Sequence, residues 1–237
     1  MPFPERKIFT LGSGWAKVVG FVGGRAMNAK EVAPLIFLVG CDGCGKSFFA
    51  NWMHTHLTKN NINSCIVWSR FNNYLSKPLL GVLRVLGHNH YEQYNGIRFG
   101  FHDFENLHLL KHIFVFLQTI DVNIATYIKI VRTVREYDSI ICERGPFDSL
   151  VDVMVDINKE INYKNFIWTL SCEYTIIFID RDYDKIIEKR PELVFDYKLN
   201  KKIYWYRKLC SILKWNYVNN NNSIEYTKKQ IIKQIYK

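Results

Sequence analysis

Short, uninterrupted apolar runs alternate along the chain with longer stretches in which apolar positions return every three or four residues. Leu35-Ile36-Phe37-Leu38-Val39 is the first such run, and its lack of polar alternation predicts a parallel strand buried on both faces. A glycine-rich turn ends it, and Phe48 to Lys59 reads as a helix that leads into a second apolar strand, Asn63 to Ser69. Leu110, Phe114, Leu117, Ile120, Ile124, Ile128 and Val131 carry helical spacing through residues 107–135, which predicts one long helix or two in succession. Asp138 to Cys142 and Glu173 to Asp180 are the third and fourth strands. A basic helical region follows from Tyr197 to Leu213, then a short strand from Trp215 to Val218 and a last helix from Ser223. Residues 71–104 mix Tyr, Asn, Gly and His and give no clear period. Strands alternating with helices predict an α/β fold with a doubly wound, five-stranded parallel sheet.

The first 33 residues stand apart from this pattern: they show no period and carry several glycines, so they read as an N-terminal extension to a single domain over 34–237. A hydrophobic share of 48% with 23% charged residues suits a folded globular chain. The apolar flavour of Trp15 to Gly24 is broken by Lys17 and is too short for a membrane span, so no membrane partner is expected. Six scattered cysteines, most of them inside apolar runs, suit a reducing compartment and a cytoplasmic protein.

Charge changes the picture only in its distribution. From Arg181 onward there are 14 Lys and Arg against 6 Asp and Glu, which supplies +8 of the formal +10. Such a field attracts anions, whether nucleic acid or polyphosphate nucleotides. No nucleic-acid module is recognisable, so a nucleic-acid partner is not expected.

The turn after the first strand is Gly40-Cys41-Asp42-Gly43-Cys44-Gly45-Lys46-Ser47, a complete G-x-x-x-x-G-K-[ST] motif between a strand and a helix. Its glycines allow backbone N–H groups to wrap a phosphate, with the helix start adding positive potential. Lys46 would neutralise the β- and γ-phosphates of ATP, and Ser47 would give a hydroxyl to Mg²⁺. Phe48 completes the candidate nucleotide-binding stretch. The Cys41-x-x-Cys44 spacing is also that of a redox pair, although the phosphate-loop motif already accounts for the local geometry.

A second cluster, Cys142-Glu143-Arg144-Gly145-Pro146-Phe147-Asp148, falls where the third strand ends, at the carboxyl edge where α/β sheets bind ligands. Glu143 would hold Mg²⁺ or its water and Arg144 would grip phosphate, the alternative being a surface ion pair. The basic segment 181–196, with Arg181, Lys185, Lys189 and Arg190, reads as a lid over the phosphates or as a solvated helix face. Arg70 ends the second strand where an acceptor phosphate would arrive. Asp121 interrupts an apolar helix and is read as substrate-binding or as one half of a buried ion pair. The histidines His88, His90, His102, His108 and His112 lack a recognised metal-ligand spacing with cysteine.

These residues resemble the thymidylate kinase-like branch of the nucleoside monophosphate kinases, over about residues 35–237. The resemblance rests on GCDGCGKS, ERGPFD, the KRPEL lid segment and the closing YVNNNNSIEYTKKQIIKQI. It implies a P-loop kinase-type fold with a small basic lid, ATP and Mg²⁺ as cofactors, and nucleotide substrates, and it suggests a homodimer. Phosphoryl transfer to a nucleoside monophosphate is the implied activity, with thymidylate the first expectation. By the same resemblance Asp42 meets the acceptor sugar hydroxyl, Arg70 orients the acceptor phosphate, and Glu143 with Arg144 stands for the family's Asp-Arg pair. Lys46, Glu143, Arg144 and Arg190 are thus the candidate catalytic residues. Two departures concern the acceptor: Glu replaces Asp before Arg144, and the long helix carries LQTIDVNI where an arginine-bearing, base-holding motif is expected. A kinase for a nucleoside or another small hydroxyl compound, and a nucleotide-binding regulatory module, are the alternatives.

Overall fold

The computed structural model describes residues 32–236 apart from 71–72, 95–96, 103, 105–106 and 171. The N-terminal extension therefore lies outside the described residues except for its last two positions. Val32 bridges antiparallel to Tyr236, and Ala33 donates its N–H to the Ile235 carbonyl at 3.1 Å.

In chain order the elements are β1 (Leu35–Val39), α1 (Lys46–Lys59), β2 (Ser64–Trp68), α2 (Ser76–Val85), β3 (Asn89–Tyr94), β4 (Ile97–His102) and α3 (His108–Thr126). There follow β5 (Ser139–Arg144), α4 (Pro146–Ile157), α5 (Tyr163–Phe166), β6 (Thr175–Asp180), α6 (Tyr183–Lys189), α7 (Leu199–Leu213), β7 (Asn216–Asn219) and α8 (Ile224–Ile235). Five strands form one all-parallel sheet in the order β2-β5-β1-β6-β7, flanked by helices. Every residue of β1 is buried, as expected for the central strand of a sheet covered on both faces. The connection from β1 crosses to β2 on one side and that from β5 crosses to β6 on the other. A crevice opens between such diverging connections at the carboxyl edge.

The segment without a readable period holds α2 and an antiparallel β3–β4 hairpin, in register from Asn89 opposite His102 to Tyr94 opposite Ile97. Its strands carry His, Glu, Gln, Arg and Gly among the aromatics, so no buried apolar run announces them. The long helical stretch is α3 followed by a wide turn at Tyr127–Val131 and a tight one at Thr133–Arg135. Leu109–Arg135 is long and apolar enough to cross a membrane by length and composition, with a mean hydropathy of 1.4 over its most apolar window. Its inner face instead packs in the domain core through Phe114, Val122, Ala125 and Ile130. Helix α4 starts at Pro146 behind Gly145, whose N–H donates to the Asp148 carboxylate at 3.1 Å, one half of a capping box.

Candidate active site

The turn between β1 and α1 is shaped by glycines in backbone conformations that other residues resist. Gly40 has φ 148°, and a Cβ there would lie 2.6 Å from the Ile179 carbonyl oxygen of β6. At Gly43, φ is 81° and a Cβ would lie 2.8 Å from Ile186 Cγ2 and 3.1 Å from Leu193 Cδ1. The loop is thus pinched between β6 and the 181–196 segment, which rests on its apex. Asn220, in the turn after β7, closes the third side: its Nδ2 donates to the Cys44 carbonyl at 2.7 Å.

Lys46 is buried, and its ammonium lies against the loop, donating to the carbonyls of Gly40 and, at 2.8 Å, of Cys41. Cys44 Sγ is 3.8 Å from Lys46 Nζ. Burial pushes the Cys44 thiol up, but the hydrogen bond from Cys41, with Lys46 and Arg144 nearby, brings it below the ordinary thiol value. The Cys41 thiol, which shares that hydrogen bond and is itself buried, is pushed up. At the second residue of α1, the Ser47 hydroxyl donates to Glu143 Oε1 at the end of β5. A hydroxyl and a carboxylate from opposite walls of the crevice thereby meet as a pair of hard oxygens, the donor set that suits Mg²⁺.

On the other side of the loop, Asp42 joins Arg70 and Arg144. Arg70 Nη1 lies 3.3 Å from both Asp42 oxygens, and Arg144 Nη2 donates to Asp42 Oδ1. Burial pushes the Asp42 carboxyl up, yet Arg70, Arg144 and Lys46 outweigh it and hold the group well below the usual carboxylate range. The remaining edge of Arg70 forms a two-pronged bond to Asp152 on α4, Nε to Oδ2 at 2.8 Å and Nη2 to Oδ1 at 2.9 Å. Asp148, one turn earlier on α4, accepts from the Tyr206 hydroxyl of α7 at 2.6 Å. Lys202 of α7 donates to Asp196 at 2.7 Å. Burial lowers its proton affinity, but Asp152, Asp196 and Asp42 raise it further. Three elements, the loop, α4 and α7, are cross-braced through these charges.

Of the expected site residues, Gly40 to Ser47, Glu143, Arg144 and Arg70 converge on this crevice. Phe48 faces outward, half exposed, with its ring edge-on to Phe49. Arg190 sits over the loop apex, its Cγ 3.5 Å from the Cβ position of Gly43, and pairs locally with Glu192. Arg181, at the end of β6, is buried, and its Nε has no hydrogen-bond partner among the described residues.

Asp121 is committed elsewhere. Its oxygens accept from the backbone N–H groups of Tyr74 (3.0 Å), Leu75 (2.7 Å) and Ser76 (2.9 Å) and from the Ser76 hydroxyl (2.6 Å). A carboxylate of α3 thus caps the start of α2. The buried charge is satisfied by amides and a hydroxyl rather than by an arginine.

Asp152, Lys202, Tyr206 and Asn220 did not stand out in the sequence, and Asp148 closed the ERGPFD cluster without a role of its own. The two aspartates carry a signal in hindsight: they lie four residues apart in the largely apolar DSLVDVMV run of 148–155, on one helix face. Compared with protein-family models and with curated proteins, the chain matches none.

Proposed function

We propose that the chain is an ATP- and Mg²⁺-dependent phosphotransferase of the P-loop kinase type. The observation that carries this reading is the meeting of Ser47 and Glu143 beside a loop that holds Lys46, at the crevice of a five-stranded parallel sheet. In this reading Lys46 leaves the loop carbonyls for the β- and γ-phosphates, and the loop N–H groups surround them. Ser47 and Glu143 would hold Mg²⁺, which when bound offsets charge on the phosphate oxygens. Arg144, on the Asp42 side of the loop, and Arg190, over its apex, would stabilise charge on the transferring group. Arg181 offers a further buried donor for the nucleotide. The chemistry asks for positioning and cations rather than covalent help, and this site supplies both.

The resemblance to thymidylate kinase-like proteins makes a nucleoside monophosphate the first acceptor to test, thymidylate ahead of the others, with Asp42 on the sugar hydroxyl and Arg70 on the acceptor phosphate. A second reading is favoured by one observation: Arg70 is already gripped by Asp152 and Asp42, which leaves that guanidinium compensated. A neutral hydroxyl compound, such as a nucleoside, would fit that balance better than a dianionic phosphate. ATP turnover with Mg²⁺ against matched nucleosides and nucleoside monophosphates separates the two. Stimulation by monophosphates alone supports the first, and stimulation by nucleosides alone supports the second. Tight ATP binding without turnover on any acceptor would replace both with a nucleotide-binding regulatory module.

A further inference from the structure

Phosphate binding leaves two side chains of the GCDGCGKS motif without a use. The motif asks for glycines, a lysine and a hydroxyl; positions 41 and 44 are open in it, and both carry thiols. The fold brings the two together. The Cys44 N–H donates to the Cys41 carbonyl at 3.4 Å, closing a turn around Asp42 and Gly43, and the Cys41 thiol donates to the Cys44 sulfur. A turn of that kind keeps its first and fourth Cα atoms within about 7 Å, close to the span that a disulfide bridges. Joining the sulfurs therefore asks for side-chain rotation and little backbone movement.

The pair also differs from the other thiols. Cys44 Sγ lies 3.8 Å from the Lys46 ammonium, just before the first residue of α1, and Arg144 adds positive charge. Such surroundings favour the thiolate, the form that attacks an oxidant. Cys142 and Cys210 instead give their S–H groups to backbone carbonyls, of Arg144 at 3.2 Å and of Trp215 at 3.7 Å. Burial pushes the thiols of Cys65 and Cys172 up. Cys41 and Cys44 have almost no free surface, which confines access to a small oxidant such as a hydroperoxide. A disulfide formed in this way suits a transient signal in a chain whose other thiols stay reduced.

We infer that Cys41 and Cys44 are a reversible modification site, oxidised by a hydroperoxide to a disulfide that fixes the loop with Lys46 on its own carbonyls and so opposes nucleotide binding. The Cys44 thiolate attacks a peroxide oxygen, the O–O bond breaks, and a sulfenic acid forms as water or an alcohol leaves. The Cys41 sulfur then attacks the Cys44 sulfur, the S–O bond breaks, and the sulfenic oxygen departs as water. The two thiols give up two electrons, which the O–O bond takes, and a thiol reductant reverses the change. Lys46 donates to the carbonyls of Gly40 and Cys41 and has to leave them to meet a phosphate. A bridge across Asp42 and Gly43 holds the turn that presents the Cys41 carbonyl. The bridge itself does not depend on how the loop is read; its effect on nucleotide rests on the function proposed above.

Peptide mapping of the full chain tests the site. The wild type is treated with hydrogen peroxide, its remaining thiols are blocked, and the peptides are identified by mass spectrometry. ATP affinity is measured before treatment, after it, and after dithiothreitol. A Cys41–Cys44 bridge formed ahead of oxidation at the other four cysteines is expected, with the ATP dissociation constant raised at least about 10-fold and restored by dithiothreitol. Cys41→Ser should stop at the sulfenic acid of Cys44, which dimedone traps. All six thiols intact under conditions that oxidise glutathione, a bridge that forms elsewhere first, or a bridged loop with unchanged ATP affinity would each overturn the inference. A reduced wild type that binds no ATP would overturn the function proposed above and the effect on nucleotide with it, and the peptide map would then judge the bridge alone.

Discussion

The two sides of the phosphate loop are built on opposite plans. On the Asp42 side, Arg70 and Arg144 meet Asp42, Arg70 also grips Asp152, and Tyr206 bonds Asp148, all between residues far apart in sequence; Arg70, Asp148 and Tyr206 are buried and the others half-buried. On the lid side, polar bonds from Asp182 and Lys185 to Asn221 tie down the start of the segment, while at its apex Arg190 pairs, among the described residues, with its near neighbour Glu192, and Ile186 and Leu193 meet Gly43 by apolar contact. One side is already closed by ion pairs; the apex of the other rests on the loop through apolar contacts, with the Arg190 side chain half exposed. A phosphotransferase uses both properties, a fixed platform for one substrate and an adaptable cover for the transferring group.

Breaking the platform should cost stability most. Asp152→Ala leaves the Arg70 guanidinium buried with its two-pronged partner gone, and urea unfolding should show a loss of about 3 kcal/mol, the low end for breaking a buried pair because 21% of the Asp152 side chain reaches solvent. Arg190→Ala should do the reverse. Its stability change should stay within about 0.5 kcal/mol while turnover with saturating ATP falls roughly 10- to 100-fold. A smaller effect distinguishes the sides by pH. Because Asp42 is held below its unfolded value, its contribution is complete above about pH 4 and drains away as the pH falls through the lower folded value. Between about pH 4 and pH 2 the thermal midpoint of the wild type should therefore fall more steeply than that of Asp42→Asn. Equal slopes would mean that the platform charges are not coupled in the folded state.

This contrast also explains what was legible in the sequence. The loop side is local: Gly40 to Ser47 is contiguous, the strand before it is an unbroken apolar run, and the backbone conformations call for glycine. Four of the five strands of the parallel sheet follow from the same kind of run, whereas β7, Asn216–Asn219, has asparagine at both ends and no such run; Glu143-Arg144 follows from its place at the end of one. The bracing is not local. Arg70 and Asp152 are 82 positions apart, Asp148 and Tyr206 are 58 apart, and only the strand order brings them together. Asp121 shows the converse problem. A lone carboxylate in an apolar helix announces that it must be satisfied, but the sequence does not say whether by an arginine, a ligand or the start of another helix. The β3–β4 hairpin escaped for a third reason: polar and aromatic residues of that strand pair replace the buried run that marks the parallel strands.

The most direct test of the central claim is transfer of label from γ-³²P-ATP, in the presence of Mg²⁺, to a panel of nucleosides and nucleoside monophosphates by the wild type and by Lys46→Ala. Labelled acceptor formed by the wild type, with the rate down about 100- to 1,000-fold in a variant that still folds, is the expected result. Undiminished transfer by Lys46→Ala would contradict a phosphoryl-transfer site at Gly40 to Ser47, as would a folded wild type that binds ATP yet labels no acceptor.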